Sequence, residues 1–295
     1  MATIPYITGF TIKPKEITET GTVIFTDGTN DITPNQIECE AYGYTYDRNT
    51  GTCSTFTFNT NLDTNVNNIN NTLKGSQNTT ETGTNNNLIL GESNIIRSSS
   101  RNNLIVGSDN EVTNEINNAT VLGVNGKANR QSEFVIGGGR NQLDGTTGEL
   151  DYSAYSDRQM SIVELAGTTP NNTAINLTLN GDGTNYINIR NNSIVGYEVY
   201  LTRFELGGSA GTAGNYSYRN MKGVVQIDDS YNMAFIVGFT RNIGKIGANG
   251  TFSMIDTSTS DVKSISLQVS DRNNVVNVWS ATVYIHEIVS TAITF

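Results

Sequence analysis

The chain carries little with which to run the commoner catalytic chemistries. It has one histidine, two cysteines, one tryptophan and four prolines in 295 residues, and only 16% of it is charged. A histidine-based mechanism has only His286 to use, and the alternation in Tyr284-Ile285-His286-Glu287 makes that residue an outward strand position. Two cysteines and one distant histidine do not complete a four-ligand zinc site, so no metal and no cofactor are expected. The stretches Gly137-Gly138-Gly139 and Gly207-Gly208-Ser209-Ala210-Gly211 lack a Walker lysine and read as turns. Lys and Arg number 18 against 28 Asp and Glu, a net charge of −10, and they form no stripe. A surface that neutralises nucleic-acid phosphates is therefore excluded. No run of 18 apolar residues occurs, and Met1-Ala2-Thr3-Ile4-Pro5-Tyr6 has neither the basic nor the apolar part of a signal peptide. Neither membrane insertion nor secretory export is expected. The few prolines and the absence of charge blocks argue against long disorder.

What the chain has is asparagine and a clock. Asn occurs 40 times, 20 of them between residues 61 and 143. In that same stretch Gly75, Gly91, Gly107 and Gly123 recur every 16 residues, and Gly137 follows after 14. Each glycine closes a short apolar run, as in Asn87-Leu88-Ile89-Leu90-Gly91 and Asn103-Leu104-Ile105-Val106-Gly107, and Asn78, Asn94 and Asn110 stand three residues beyond it. A period this short, filled with strand formers next to Asn, Ser and Gly, reads as coils of a parallel β-roll or β-helix with two short strands and two turns per coil. Ile89, Leu104, Ile105, Val121 and Val135 are expected inside. Five coils would make a rod on the order of 20–25 Å long. So few apolar residues per coil leave a face that neighbouring coils only partly cover, and packing the same face from three chains is the expected remedy, a homotrimer.

These repeats resemble the heads of trimeric autotransporter adhesins and the related left-handed rolls of bacteriophage fibres, over roughly residues 65 to 143. The chain departs from the adhesin pattern in using Asn where those heads often have Ala or Ser. The second half resembles a domain at the ends of phage fibres and virion decoration proteins, through Ser156-Asp157-Arg158-Gln159-Met160, Leu179-Asn180-Gly181-Asp182-Gly183-Thr184, Gly223-Val224-Val225 and Val278-Trp279-Ser280-Ala281-Thr282-Val283. The asparagine content is similar to that of phages of Bacteroidetes, including the crAss-like group. The resemblance implies a head or tail fibre on the virion surface, assembled in the host cytoplasm. Its partners would be capsid or tail proteins held through residues 1–60, and host surface glycans.

The organisation expected is all-β, with a small attachment module over 1–60, the shaft over 61–143, a connector over 144–160 and a jelly-roll-like β-sandwich over 161–295. In the first module Thr22-Val23-Ile24-Phe25-Thr26 reads as a strand, Tyr42, Tyr44 and Tyr46 alternate, and Thr55-Phe56-Thr57-Phe58 alternates again. Cys39 and Cys53 flank this hairpin, either as two free thiols or as a bridge. In the last domain the inward series are Ile175/Leu177/Leu179, Tyr197/Val199/Leu201, Ile265/Leu267/Val269 and Trp279/Ala281/Val283/Ile285.

The carboxylate groups Asp228-Asp229 and Asp144/Glu149/Asp151 fall in turns, where such groups are ordinarily solvated. Asp27-Gly28-Thr29-Asn30-Asp31 lacks the acidic series of a calcium loop and reads as a plain turn. The expectation is a structural fibre and not an enzyme, the alternatives being a polysaccharide-hydrolysing tailspike or a bacterial adhesin. Tyr216, Tyr218 and Tyr231 are the aromatics placed to stack on sugars.

Overall fold

The structure, a computed structural model, describes residues 4–18, 21–47, 50–55, 62–63, 68–144, 150–228, 230 and 232–290. The chain divides into two compact units, 1–60 and 61–295.

In the first unit β1 (Lys13–Ile17), β2 (Val23–Thr26) and β3 (Asp31–Ile32) form an antiparallel sheet. A helix, α1 (Gln36–Ala41), follows, and β4 (Thr45–Asp47) pairs with β5 (Thr52–Ser54). The helix is absent from the sequence reading. It rests on a capping box, in which the Asn35 side chain accepts from the Glu38 amide and the Glu38 carboxylate accepts from the Asn35 amide. Tyr42 accordingly ends the helix and does not belong to the hairpin. Ile12, Val23, Phe25, Cys39 and Cys53 make the core, and the two cysteines are bonded, with their Cα atoms 5.8 Å apart. The alternation at Phe56 and Phe58 lies outside the described residues.

The second unit begins as a solenoid. One wall is β7 (Thr72–Ser76), β9 (Leu88–Glu92), β11 (Leu104–Ser108), β13 (Thr120–Val124) and the first part of β15 (Phe134–Asp144), all parallel and paired at the 16-residue period except for the last step, β13 to β15, which is 14 residues. A second wall is β6 (Leu62–Asp63), β8 (Thr79–Thr80), β10 (Ile95–Ile96), β12 (Glu111–Val112) and β14 (Lys127–Ala128). The coil has a third side, beyond the two expected. Single bridges link Ile69, Asn85, Arg101 and Asn117. The corners flanking that side and the one between the walls take left-handed backbone, as at Asn86, Ser93 and Ser99 of one coil. Asn is among the few residues with a side chain that enter this region readily, and its abundance is explained in part by these corners.

Glycine is required at the turn for a different reason. Gly91 and Gly107 have φ of 137° and 134°, and a Cβ on either would sit 1.9 Å from the carbonyl oxygen of the next coil's glycine. Inside, Ile89, Ile105, Val121 and Val135 are buried in one row, with Ile96, Val112 and Ala128 facing them. Leu104, expected inside, is on the outer face, because in a strand the neighbour of an inward Ile105 points the other way. Ile116 and Ala119 add to this core, and the rest of the interior holds ordered polar side chains. Asn78, Asn94 and Asn110 are fully buried and stacked. Each amide nitrogen donates to the carbonyl of the next coil's glycine, at 2.9, 2.8 and 2.9 Å, and those of Asn94 and Asn110 also donate to the amide oxygen one coil back. Asn71, Asn87 and Asn103 make a second such ladder. These bonds satisfy groups that a coil with so small an apolar core could not afford to bury unpaired.

After the last coil the wall does not end. β15 turns into antiparallel pairing with β16 (Leu150–Thr169), so residues 150–160, expected within a connector, are strand. The alternation there is of polar and small residues, which a composition-based reading takes for a loop. Beyond it come β17 (Ile175–Asn176), β18 (Thr178–Leu179), β19 (Ile187–Asn188), β20 (Ser193–Gly207), β21 (Tyr216–Ile227), β22 (Met233–Ile246), β23 (Thr251–Asp256), β24 (Ser264–Ser270) and β25 (Val276–Ser290). The long sheet runs β22-β21-β20-β25-β16-β15-β13-β11-β9-β7, one sheet from the C-terminal part into the solenoid wall. Its inner face, with Val199, Leu201, Trp279, Val283 and Ile285, shares a core with Leu177, with Leu179 of β18, which pairs with β16, and with Ile265, Leu267 and Val269 of β24, which belongs to a separate sheet.

Candidate functional surface

Because one sheet spans the unit, its outer face is a single surface whose rows follow from strand register. One row passes through Leu90, Val106, Leu122, Ile136, Met160, His286, Gly196 and Val224. It runs along the solenoid's stacking direction and from Leu90 onward is apolar but for His286, while in the first coil the register places Lys74 on it. Val106 and Ile136 are 36% and 40% exposed, and Ile288, which lines the same groove as Ile136, is 55% exposed. Ile136, Met160, Ile194, Val224, His286 and Ile288 line a groove of about 650 Å³ on this row. His286 is outward, as its strand position requires, but stands among apolar neighbours.

To one side of that row lies a second groove, of about 340 Å³, lined by Glu198, Tyr200, Tyr218, Thr282 and Tyr284. The long strands β20, β21 and β25 position these side chains at alternate residues facing out. Tyr200 stacks on Tyr218 with ring centroids 6.2 Å apart and meets Tyr284 edge-on at 6.0 Å. The Tyr200 hydroxyl donates to Glu198 Oε1 at 2.7 Å, the Asn220 amide donates to the same oxygen at 3.2 Å, and Lys222 Nζ is 2.8 Å from Glu198 Oε2. The bonds from Lys222 and then Tyr200 hold the Glu198 carboxyl below its ordinary pKa, and the bond to Glu198 pushes the Tyr200 phenol up. On the adjoining strand Glu164 accepts from the Thr282 hydroxyl at 2.6 Å.

Of the residues singled out from sequence, Gly75, Gly91, Gly107 and Gly123 stand with positive φ where the wall meets the turn between walls, whereas Gly137, expected at a turn, lies inside β15, which runs on to Asp144 because it pairs with β16 instead of turning into another coil. Tyr218 is in the second groove, Tyr216 lies at the start of β21 outside it, and Tyr231 is outside the described residues. Tyr200, Tyr284 and Glu198 were missed. Their signal was the outward half of strands read only for their inward half. Asp228 accepts from the Asn232 backbone and side chain and Asp27 from the amides of Thr29 and Asn30, so each carboxylate is engaged by its own turn. Glu149 and Asp229 are outside the described residues, as are the side chains of Asp144 and Asp151. Among the described residues there is no group of three His, Cys, Asp or Glu that could hold a metal, and no helix is long and apolar enough to cross a membrane.

No protein-family model and no curated protein matches the chain. Solved structures do. A tailspike protein of Acinetobacter baumannii phage AM24 is 8% identical with a TM-score of 0.22, covering 76% of this chain and 49% of that one. Tailspike gp49 of A. baumannii bacteriophage Fri1, described as a capsular polysaccharide depolymerase, is 10% identical with a TM-score of 0.21, covering 74% and 36%. A third Acinetobacter phage tailspike has 10% identity and a TM-score of 0.19. The chain spans between 36% and 54% of the length of these solved chains. The expectation of a protein without enzymatic activity is corrected at this point, since a depolymerase stands among the similar structures and a non-catalytic assignment is not kept. At the coarse level the comparisons reach, the chain is an all-β protein with a β-solenoid shaft, similar to phage tailspikes.

Proposed function

We propose that this chain is a spike- or fibre-like protein of a bacteriophage surface, working as three copies packed along the apolar outer row of the solenoid, with residues 1–60 as the unit that joins capsid or tail proteins. The observation that carries it is the row itself. Leu90, Val106, Leu122, Ile136 and Met160 continue across five strands with no charged residue among them. A solvated wall of a solenoid has no reason to keep such a row, whereas copies packed around an axis parallel to the stacking direction would bury it in each coil from Leu90 onward. Light scattering of the full chain tests this: the expected mass is three times 31.9 kDa. A monomer or an even-numbered oligomer contradicts it.

A second reading, a spike that cleaves surface polysaccharide, is favoured by one feature. Glu198 lines the tyrosine groove with its carboxyl held below the ordinary value by the bonds from Lys222 and Tyr200, the direction a base or nucleophile needs, and a second carboxylate, Glu164, bonds the lining Thr282 from beside the groove. Release of reducing ends from capsular polysaccharide, abolished in Glu198→Gln, is the outcome expected from it.

A further inference from the structure

The geometry points to the Tyr200–Tyr218–Tyr284 groove as a carbohydrate-binding site that takes neutral or N-acetylated pyranoses and rejects uronic acids. The inference takes from the second reading above only that a polysaccharide is the partner, and it does not require cleavage. Its basis is the composition of the groove: every lining residue is aromatic, hydroxyl-bearing or acidic, and none is aliphatic. Such a surface fits a ligand with flat C–H faces and hydroxyls around its rim. Two tyrosine rings 22° from parallel, with a third nearly perpendicular, give a shelf and a wall for a sugar ring.

The polar groups are fixed in advance. Glu198 is held by Tyr200, Asn220 and Lys222 together, and Thr282 by Glu164, so a ligand hydroxyl meets acceptors that need no ordering on binding. The charge sets the class. Lys222 is committed to Glu198, and the Glu164 carboxylate, which bonds the lining Thr282 from beside the groove, has no ion-pair partner among the described residues, on a chain whose net charge is −10. A second carboxylate arriving on a sugar would meet like charge. The site also stays clear of the apolar row. Tyr284 lies two residues along β25 from His286, and Tyr200 lies four along β20 from Gly196, roughly 7 and 13 Å to one side at 3.3 Å per residue.

The test is a glycan array probed with the labelled full chain, carrying tetrasaccharides of neutral hexose, of N-acetylhexosamine and of galacturonate. Retention on the first or second, and none on the third, is expected. Tyr218→Ala should weaken retention roughly tenfold, the scale of one lost ring contact, while Tyr216→Ala should leave it unchanged. Glu164→Gln, at a solvent-facing position, should admit galacturonate, a gain that misfolding cannot mimic. Preference for galacturonate in the parent chain, retention untouched by Tyr218→Ala, or no sugar retained at all would each overturn the assignment. Binding without release of reducing ends would leave it standing while removing the cleaving spike, and the mass measurement decides the trimer independently.

Discussion

Gly107 and Asn103 stand four residues apart in the same coil and are needed for different physical reasons. Asn103 donates to Asn87 Oδ1 at 3.1 Å and to the Ile116 carbonyl at 3.0 Å, and its own oxygen accepts from the Ala119 amide at 2.8 Å. Asn103→Ala would strand those partners in a buried place, at about 1–3 kcal/mol for each one left unsatisfied. Gly107→Val is worse, because a Cβ would lie 1.9 Å from the Gly123 carbonyl oxygen, and that oxygen belongs to the adjoining backbone and cannot rotate away. Melting of both full-length variants should therefore show the larger drop for Gly107→Val, and equal melting temperatures would contradict the account. Both residues were legible from the 16-residue period alone. The left-handed corners at Asn86, Ser93 and Ser99 were not, since Asn and Ser are so frequent throughout the chain that their presence at a corner carries no contrast. Leu104 was misplaced because a run of three apolar residues does not say which of the three points inward.

Elements join through buried charge as well as through register. Arg130 and Glu133 of the last coil are fully buried and paired, Arg130 Nη2 lies 3.6 Å from Glu287 Oε1 of β25, and Arg190 Nη2 lies 2.9 Å from Glu287 Oε2. Burial alone would raise the Glu287 pKa, but the guanidinium groups of Arg190 and Arg130 outweigh it and hold the carboxyl below its ordinary value. A carboxyl depressed in the folded state contributes stability that is complete above the ordinary value, about 4.3, and is lost as pH falls through the depressed one. The melting temperature should fall below about pH 4, and Glu287→Gln should lower it at pH 7 while flattening that acid limb. A variant with an unchanged acid limb would assign the loss elsewhere. No sequence pattern announced this cluster, whose members are separated by more than 50 residues on either side of Arg190. In the first unit the Cys39–Cys53 bond closes a loop with a sequence separation of 14, worth about 3 kcal/mol by chain entropy. Reduction should speed hydrogen exchange at Val23 and Phe25 and leave the amides of Ile105 and Val121 as they were, because the cysteines pack with the former and the solenoid core is separate. Uniform loss of protection would show the units to be coupled.

At the scale of the whole molecule the decisive quantity is what covers the outer row. The two faces of each wall strand are chemically independent, since Ile105 and Val121 point into the coil and Val106 and Leu122 point out of it. A charge placed at an outward position therefore leaves the coil's own core and asparagine ladders intact. The double variant Val106→Asp, Leu122→Asp puts two carboxylates into the row in each chain, six in a trimer, where they would face one another near the axis away from water. Desolvating an unpaired carboxylate costs several kcal/mol, more than the side chains it replaces contribute by burial, so the copies should part. The expected result is a mass of one chain where the parent gives three, with the far-ultraviolet circular dichroism of the parent retained. If the variant keeps the parent's mass, the row is solvated in the working protein, and the packing of copies must lie on another face. If the mass falls but the strand signal falls with it, the coil depends on its neighbours to fold, as a shaft with so few apolar residues per turn requires when copies supply the rest of its core.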